Sequence, residues 1–337
     1  YLQVAPDGGV WLGSDAYEEP QRRGVYRFDG TTWARFLPDF IATDGAVAPD
    51  GSLWFWARPS DEEPGAEDGR AGLYVITPEA VTAAEAATAS PDNTAPTTLD
   101  LLPGVDLVTE EVEPGVYRVL SDGAGHDLQD GIRAMATVDD SVWVETRRIF
   151  ELGRPGTYSS TRLGFLLASD DGTLWAATGD GRSLRSYDGE AWTNHDDYSD
   201  ADGSSSDPWW PPDYIGDFAV HPDGTFWRIA ANEGEDARTR LQRLGRDGWT
   251  TYRVGEGLPM LGCGSACGEG WSIEITPDGS VWLGFDNGGL LRFDGSDWEI
   301  ERPLGGDVDH GVISLAANRD GVLWAEIWVG DGPPSPR

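Results

Sequence analysis

One phrase recurs along the whole chain and constrains it more than anything else. It is a short apolar strand, then Pro-Asp-Gly or a variant, then an apolar strand carrying tryptophan. It stands as VAPDGGVWLG around Trp11, VAPDGSLWFW around Trp54, TVDDSVWVE around Trp143 and ASDDGTLWAA around Trp175. It returns as VHPDGTFWRI around Trp227, ITPDGSVWLG around Trp282 and ANRDGVLWAE around Trp324. Proline presets such a turn, aspartate accepts hydrogen bonds from nearby backbone, and glycine takes φ > 0. The flanking strands are therefore expected to pair antiparallel as a hairpin. The tryptophans lie 43, 89, 32, 52, 55 and 42 residues apart, and the 89 reads as two units. TLDLLPGVDLVTEEV (Thr98 to Val112), followed by GVYRV, fills that gap as a copy without its tryptophan. Eight units with a period of about 45 residues result.

A second signature follows the tryptophan strand, as GVYRFDGTTW, SLRSYDGEAW, LQRLGRDGWTTY and GLLRFDGSDW. It reads as a third strand, an Asp-Gly turn and a fourth strand opening with an aromatic. Four short antiparallel strands in about 40–45 residues make the blade of a β-propeller. The expected fold is all-β: a propeller of eight repeat units, the last truncated to two inner strands, with seven blades as the alternative. One domain would span 1–329, with insertions at 78–98 and 195–216 and a Pro-rich tail at 330–337. Inner strands are expected near Leu2–Ala5, Ala46–Ala48, Leu99–Leu102, Ile132–Val138, Phe165–Ala168, Phe218–His221, Ser272–Thr276 and Val312–Ala316. Composition agrees. Gly 45, Pro 22 and Trp 16 describe a turn-rich chain, and an aromatic content of 11% separates it from disordered acidic chains.

The sequence PDGxVWxG followed by GLxRFDGxxW, fullest from Thr276 to Trp298, resembles the two-component regulator propeller repeat of extracytoplasmic sensor regions. It is also similar to the repeats of streptogramin B lyases. The resemblance covers nearly the whole chain outside about Pro78 to Thr97 and Asp196 to Pro212. It is carried by turn and core residues, so it speaks to fold more than to function. It implies a non-enzymatic, extracytoplasmic or secreted domain that senses a ligand or interacts with a protein or glycan. The lyase resemblance implies the alternative: a propeller lyase or hydrolase using a His–Glu pair with a divalent cation. His310, just before the last first strand, and Glu326, just after Trp324, are the candidates for general base and orienter. Both are expected on one face, within side-chain reach.

Charge narrows the partners. The chain has 59 Asp+Glu against 24 Lys+Arg, a net charge of -35, and contains no lysine, so every cationic side chain is arginine. Nucleic acid is excluded as a partner for want of cations to displace counterions. Lysine-dependent catalysis and a P-loop are excluded with it. No apolar run approaches a membrane span. Because Tyr1 is not an initiator methionine, an upstream segment, with an anchor or signal, is expected to have preceded it.

Loops at the strand ends near a propeller's central channel are where a rigid scaffold presents function. The residues expected there are mostly acidic: Asp15, Asp44, Asp130, Asp180, Asp217, Asp286, Asn287, Asp307, Asp309, His310 and Glu326. Such an oxygen-rich funnel suits a hard cation, Ca²⁺ or Mg²⁺, or a hydroxyl-bearing ligand, while strand-end and solvating roles are the structural alternative. DPWWPPDY places Trp209, Trp210 and Tyr214 in one proline-stiffened loop, able to anchor a protein or stack on a sugar, or to fold back over the rim. DYSDADGSS lacks the terminal acid of a calcium loop. Cys263 and Cys267, the only cysteines, stand in GCGSACGEG. Their spacing fits neither a zinc site nor a redox pair, leaving a local disulfide, in keeping with an oxidising compartment, or two free thiols. His221 reads as a turn residue, and His126 and His195 have no neighbours at metal-ligand spacing.

Overall fold

The structure is a computed structural model. It describes residues 1–14, 23–59, 70–81, 97–99, 102, 104–126, 128, 132–146, 148–156, 158–159, 163–169, 171–178, 184–195, 214–231, 240–254, 257–259, 270–285, 289–301 and 310–329. The chain comprises two compact units, Tyr1–Ala168 and Ser169–Arg337. The described strands fall into seven sheets, each an antiparallel meander in chain order except the second, with a short parallel strand ending the fifth.

The first sheet shows how the phrase folds. Leu2–Val4 pairs with Val10–Ser14 across the Pro-Asp-Gly turn, Gly24–Phe28 follows, and Trp33–Phe36 forms the outer edge. Gly8 takes φ 85°, and Ala5 N–H donates to Gly9 O at 2.8 Å to close the turn. Repetition of that local chemistry accounts for the third sheet, from Ala134–Val138 to Tyr158–Ser159, and the fourth, from Leu163–Ala168 to Trp192–Asn194. It accounts equally for the fifth, opening with Tyr214–Val220, and the sixth, from Gly270–Ile275 to Trp298–Glu301. The seventh sheet has two described strands, His310–Ala317 and Leu323–Val329.

The second sheet corrects the count of eight. After Phe40–Val47, Leu53–Pro59 and Gly72–Ile76, its fourth position is taken by Val116–Ser121, followed by Leu107–Glu113 and Thr97–Leu99. Val116 pairs with Ile76 and Arg118 with Tyr74, so the supposed third unit is the outer half of the second sheet. Thr97–Leu99, which holds the start of the inner strand expected at Leu99–Leu102, lies at the outermost edge. The reason is that this stretch lacks the tryptophan strand. Without that apolar core strand its hairpin cannot found a separate sheet, and it extends an existing edge instead. The one described helical turn is 78–81. No described helix is long and apolar enough to cross a membrane.

Each unit has its own core. In the first, Trp11, Trp54, Phe55, Leu73 and Val75 are fully buried among the facing sheets. In the second, Trp227, Ile229, Leu241, Leu283 and Phe285 form the largest cluster. Each buried side chain of this size contributes about 1.5–3 kcal/mol, so the repeated tryptophan position is the main apolar support of the blades.

Candidate functional site

Five residues before the proline position of the turn phrase, taken by Pro49, Pro222, Pro277 and Arg319, stand Asp44, Asp217, Ser272 and Ser314. All four follow a register shift in the inner strand: between Ala42 and Asp44, Ile215 and Asp217, Gly270 and Ser272, and Val312 and Ser314. Such bulges re-aim a side chain and break the ladder locally. Asp217 Oδ1 accepts the N–H of Phe218 at 2.8 Å, and Oδ2 accepts the Ile273 N–H at 3.0 Å and the Ser272 hydroxyl at 3.2 Å. Ser272 Oγ in turn accepts the Leu315 N–H at 2.9 Å. In the first unit Asp44 does the same with the N–H groups of Gly45 and Met135. At three of the four positions, Asp44, Asp217 and Ser272, the polar side chain thus clasps its inner strand to the next sheet.

These acids are enclosed. Burial pushes the Asp44 carboxyl up to about 7 and Asp217 up to about 6. Burial, with the charge of Asp217 adding to it, pushes Glu274 up to about 8. Desolvation here outweighs the hydrogen bonds that favour the charged form.

Several expected site residues fall outside the described residues: Asp15, Asp130, Asp180, Trp209, Trp210, Cys263, Cys267, Asp286, Asn287, Asp307 and Asp309. Tyr214 opens a strand, its backbone paired with Ala231. His310 pairs with Val329, whereas Glu326 pairs with Ser314, so the two are not cross-strand partners. Three residues of strand, about 10 Å, separate Val329 from Glu326. Asp217 is turned into the seam between sheets. No cluster of three or more potential metal ligands occurs among the described residues.

Sequence reading missed a pocket of about 550 Å³ in the second unit. It is lined by Trp175 and His195 from the fourth sheet, Asp223–Thr225 from the turn of the fifth, and Arg243–Gly248 with Thr250 from its outer hairpin. Its origin is a slip of one residue. In the first, fifth and sixth sheets the third-strand arginine lies directly across from the core tryptophan: Arg27 from Trp11, Arg243 from Trp227 and Arg292 from Trp282. Each guanidinium lies over its indole, at 5.4, 5.6 and 5.7 Å from the ring centroid. In the fourth sheet Ser186 faces Trp175, and Arg185 faces Ala176. Ser186 Oγ holds His195 Nε2 at 2.9 Å, and the imidazole stacks on Trp175 at 5.0 Å with Phe226 stacked on the same indole at 5.1 Å. SLRSYDG has one more residue between Arg and Asp-Gly than LLRFDG, but LQRLGRDG has more still and keeps Arg243 across from Trp227, so this spacing by itself did not mark the pocket.

Two other histidines differ in use. His126 is held by the buried Asp122 and stacks on Phe150 at 4.1 Å. His221 reaches across to the sixth sheet, its Nε2 3.2 Å from Gly279 O. A Cβ on Gly279 would come within 2.8 Å of that nitrogen, so glycine there is required by close approach as well as by its φ of 83°.

No family model matches the chain, and no curated protein matches it by sequence. Solved structures do, and they define the class: the chain is an all-β propeller. A streptogramin B lyase structure superposes with a TM-score of 0.58 at 12% identity, over 98% of this chain and 92% of that one. The extracellular domain of the putative one-component system BT4673 from B. thetaiotaomicron gives 0.55 at 11% identity, over 96% of this chain and 36% of that chain. YCF48 bound to D1 peptide gives 0.54 at 13%, over 100% and 93%. At such identities the likeness is one of fold.

Proposed function

We propose that this chain is a non-enzymatic, extracytoplasmic propeller that binds a ligand, acting as a sensor or as an interaction domain for a protein or glycan. The observation that carries this reading is the division of labour among its polar groups. Asp217, offered by the sequence as a ligand residue, is occupied between sheets, while a pocket of ordinary ligand size opens in the second unit. The fold shared with the extracellular domain of a sensor, and with a propeller bound to a peptide, supports it by analogy. Trp209, Trp210 and Tyr214 remain proposed anchors for a partner, and Asp286 and Asn287 proposed polar contacts.

The test is a thermal-shift and calorimetric screen of the full chain against peptides, neutral and acidic saccharides and small organic acids. Saturable stabilisation without turnover is expected. Replacing Trp209 or Trp210 by Ala is expected to weaken binding of a macromolecular partner by about 1–3 kcal/mol. The alternative, a lyase or hydrolase using His310, Glu326 and a Ca²⁺ or Mg²⁺ ion, draws on the lyase fold. The register that separates the two residues weighs against it. Turnover of a cyclic ester that is lost in His310→Ala, with no ligand bound otherwise, would overturn the binding reading.

A further inference from the structure

The turn aspartate and the third-strand arginine form a recurring ion pair in this chain. Arg27 pairs with Asp7 in the first sheet, and Arg292 with Asp278 at 3.5 Å in the sixth. In the fifth sheet the pairing is absent among the described residues. Asp223 lies 2.8 Å from His221 Nδ1 and accepts the Thr225 N–H at 2.8 Å. Arg243, at the equivalent place, makes no ion pair or hydrogen bond among the described residues, and its Nε is buried without an acceptor. It lines the 550 Å³ pocket. Arg246, exposed at the tip of the next turn, also has no ion pair among the described residues and lines the same pocket.

Two guanidinium groups without an ion pair among the described residues converge on one cavity of a chain whose net charge is -35. A half-buried arginine without an acceptor forgoes the charge-assisted hydrogen bonds that normally offset its desolvation. We infer that this pocket binds a small carboxylate-bearing molecule, with Arg243 and Arg246 as the donors to its carboxylate and the Trp175–His195 stack as the wall for its body. A carboxylate matches the planar fork of arginine. A single negative charge also tolerates Asp223 and Asp247, which line the same cavity and would repel a dianionic phosphate. The volume suits a molecule of one or two rings.

The inference rests on the reading of the chain as a binding domain, and the experiment separates the two. Calorimetry on the full chain uses benzoate, phenylacetate, glucuronate and gluconate, with benzyl alcohol and glucose as neutral counterparts and inorganic phosphate as the competing anion. At least one carboxylate is expected to bind at least tenfold more tightly than its neutral counterpart and than phosphate. Arg243→Met and Arg246→Gln are each expected to weaken it about tenfold to a hundredfold, the range for a hydrogen bond to a charged group. Arg292→Met, which removes a paired arginine of the sixth sheet, is expected to leave binding unchanged. If Arg243→Met does not fold, Arg246→Gln decides, since its side chain is exposed on a turn. Absence of carboxylate binding, equal binding of the neutral counterparts, tighter binding of phosphate, or indifference to both arginine variants would each overturn the inference. A peptide or neutral saccharide bound independently of Arg243 and Arg246, with no carboxylate binding, would overturn it yet leave the binding reading standing. A chain that binds none of these classes loses both.

Discussion

The carboxylate of Asp217 accepts the backbone N–H of Ile273 at 3.0 Å, tying the bulged inner strand of the fifth sheet to that of the sixth. The bulge matters because it frees an N–H from the ladder and brings a short polar side chain to meet it. Ser272 repeats the move toward Leu315, so the seams are joined by a relay of side chains.

Replacing Asp217 by Ala should therefore act on stability. The amide of Ile273 and the hydroxyl of Ser272 would lose their acceptor in a closed seam, at a cost of about 1–3 kcal/mol. Asp217→Asn keeps an acceptor and should cost less. Denaturant unfolding of both variants gives the comparison, and wild-type stability in Asp217→Ala would contradict the clasp.

The enclosed acids set the pH dependence. Asp217 and Glu274 have folded-state values of about 6 and about 8, above the ordinary carboxylate range. Between that range and about pH 8 the folded chain holds protons that the unfolded chain has released, so stability falls as pH rises. The effect reaches at most about 1.4 kcal/mol per pH unit for each group. Turn aspartates act in the opposite sense. Asp294, held down to about 2 by the N–H groups of Asp297 and Ser296, favours the fold only while ionised. The thermal midpoint should peak in mildly acidic solution, and Glu274→Gln should flatten the decline toward pH 8. A midpoint that climbs steadily to pH 8 would refute this.

At the corner after Val116–Ser121, Asp122 gathers four backbone N–H groups, those of Ala124, Gly125, His126 and Gly153, besides the His126 ring. The Gly153 bond links the second sheet's outer half to the third sheet. Asp122→Ala should destabilise by about 1–3 kcal/mol, since several partly buried donors lose one acceptor together. His126→Phe, which preserves the stack on Phe150, should cost less. Reversal of that order in urea unfolding would show that the ring stack, rather than the carboxylate, holds the corner.

Cys263 and Cys267 are proposed to be joined. Non-reducing peptide mapping of protein made in an oxidising compartment should recover them as one linked fragment, and alkylation of both under native conditions would argue for free thiols. Closing so short a loop constrains the unfolded chain little, so Cys263→Ser with Cys267→Ser should lower stability by no more than about 2 kcal/mol.

The sequence alone determined the blades, because a Pro-Asp-Gly turn and the tryptophan after it are local devices: each fixes a hairpin and its buried face wherever it occurs. Their spacing carried the propeller class with it. What the local code left open was partnership between distant segments. It suggested a separate unit at Thr98 to Val112, whereas the tertiary structure spends that stretch on the edge beside Gly72–Ile76. Asp217 read as one of the acids offered to a ligand, and only the neighbouring sheet supplies the amide that claims it. The pocket is the clearest case. Arg185 lies one residue off Trp175, and an alternative partner for Asp223 leaves Arg243 without an ion pair among the described residues, but the cavity exists only because the fourth and fifth sheets pack side by side. Turn and strand preferences act over a few residues, whereas desolvation and unpaired charge depend on which groups the fold brings together.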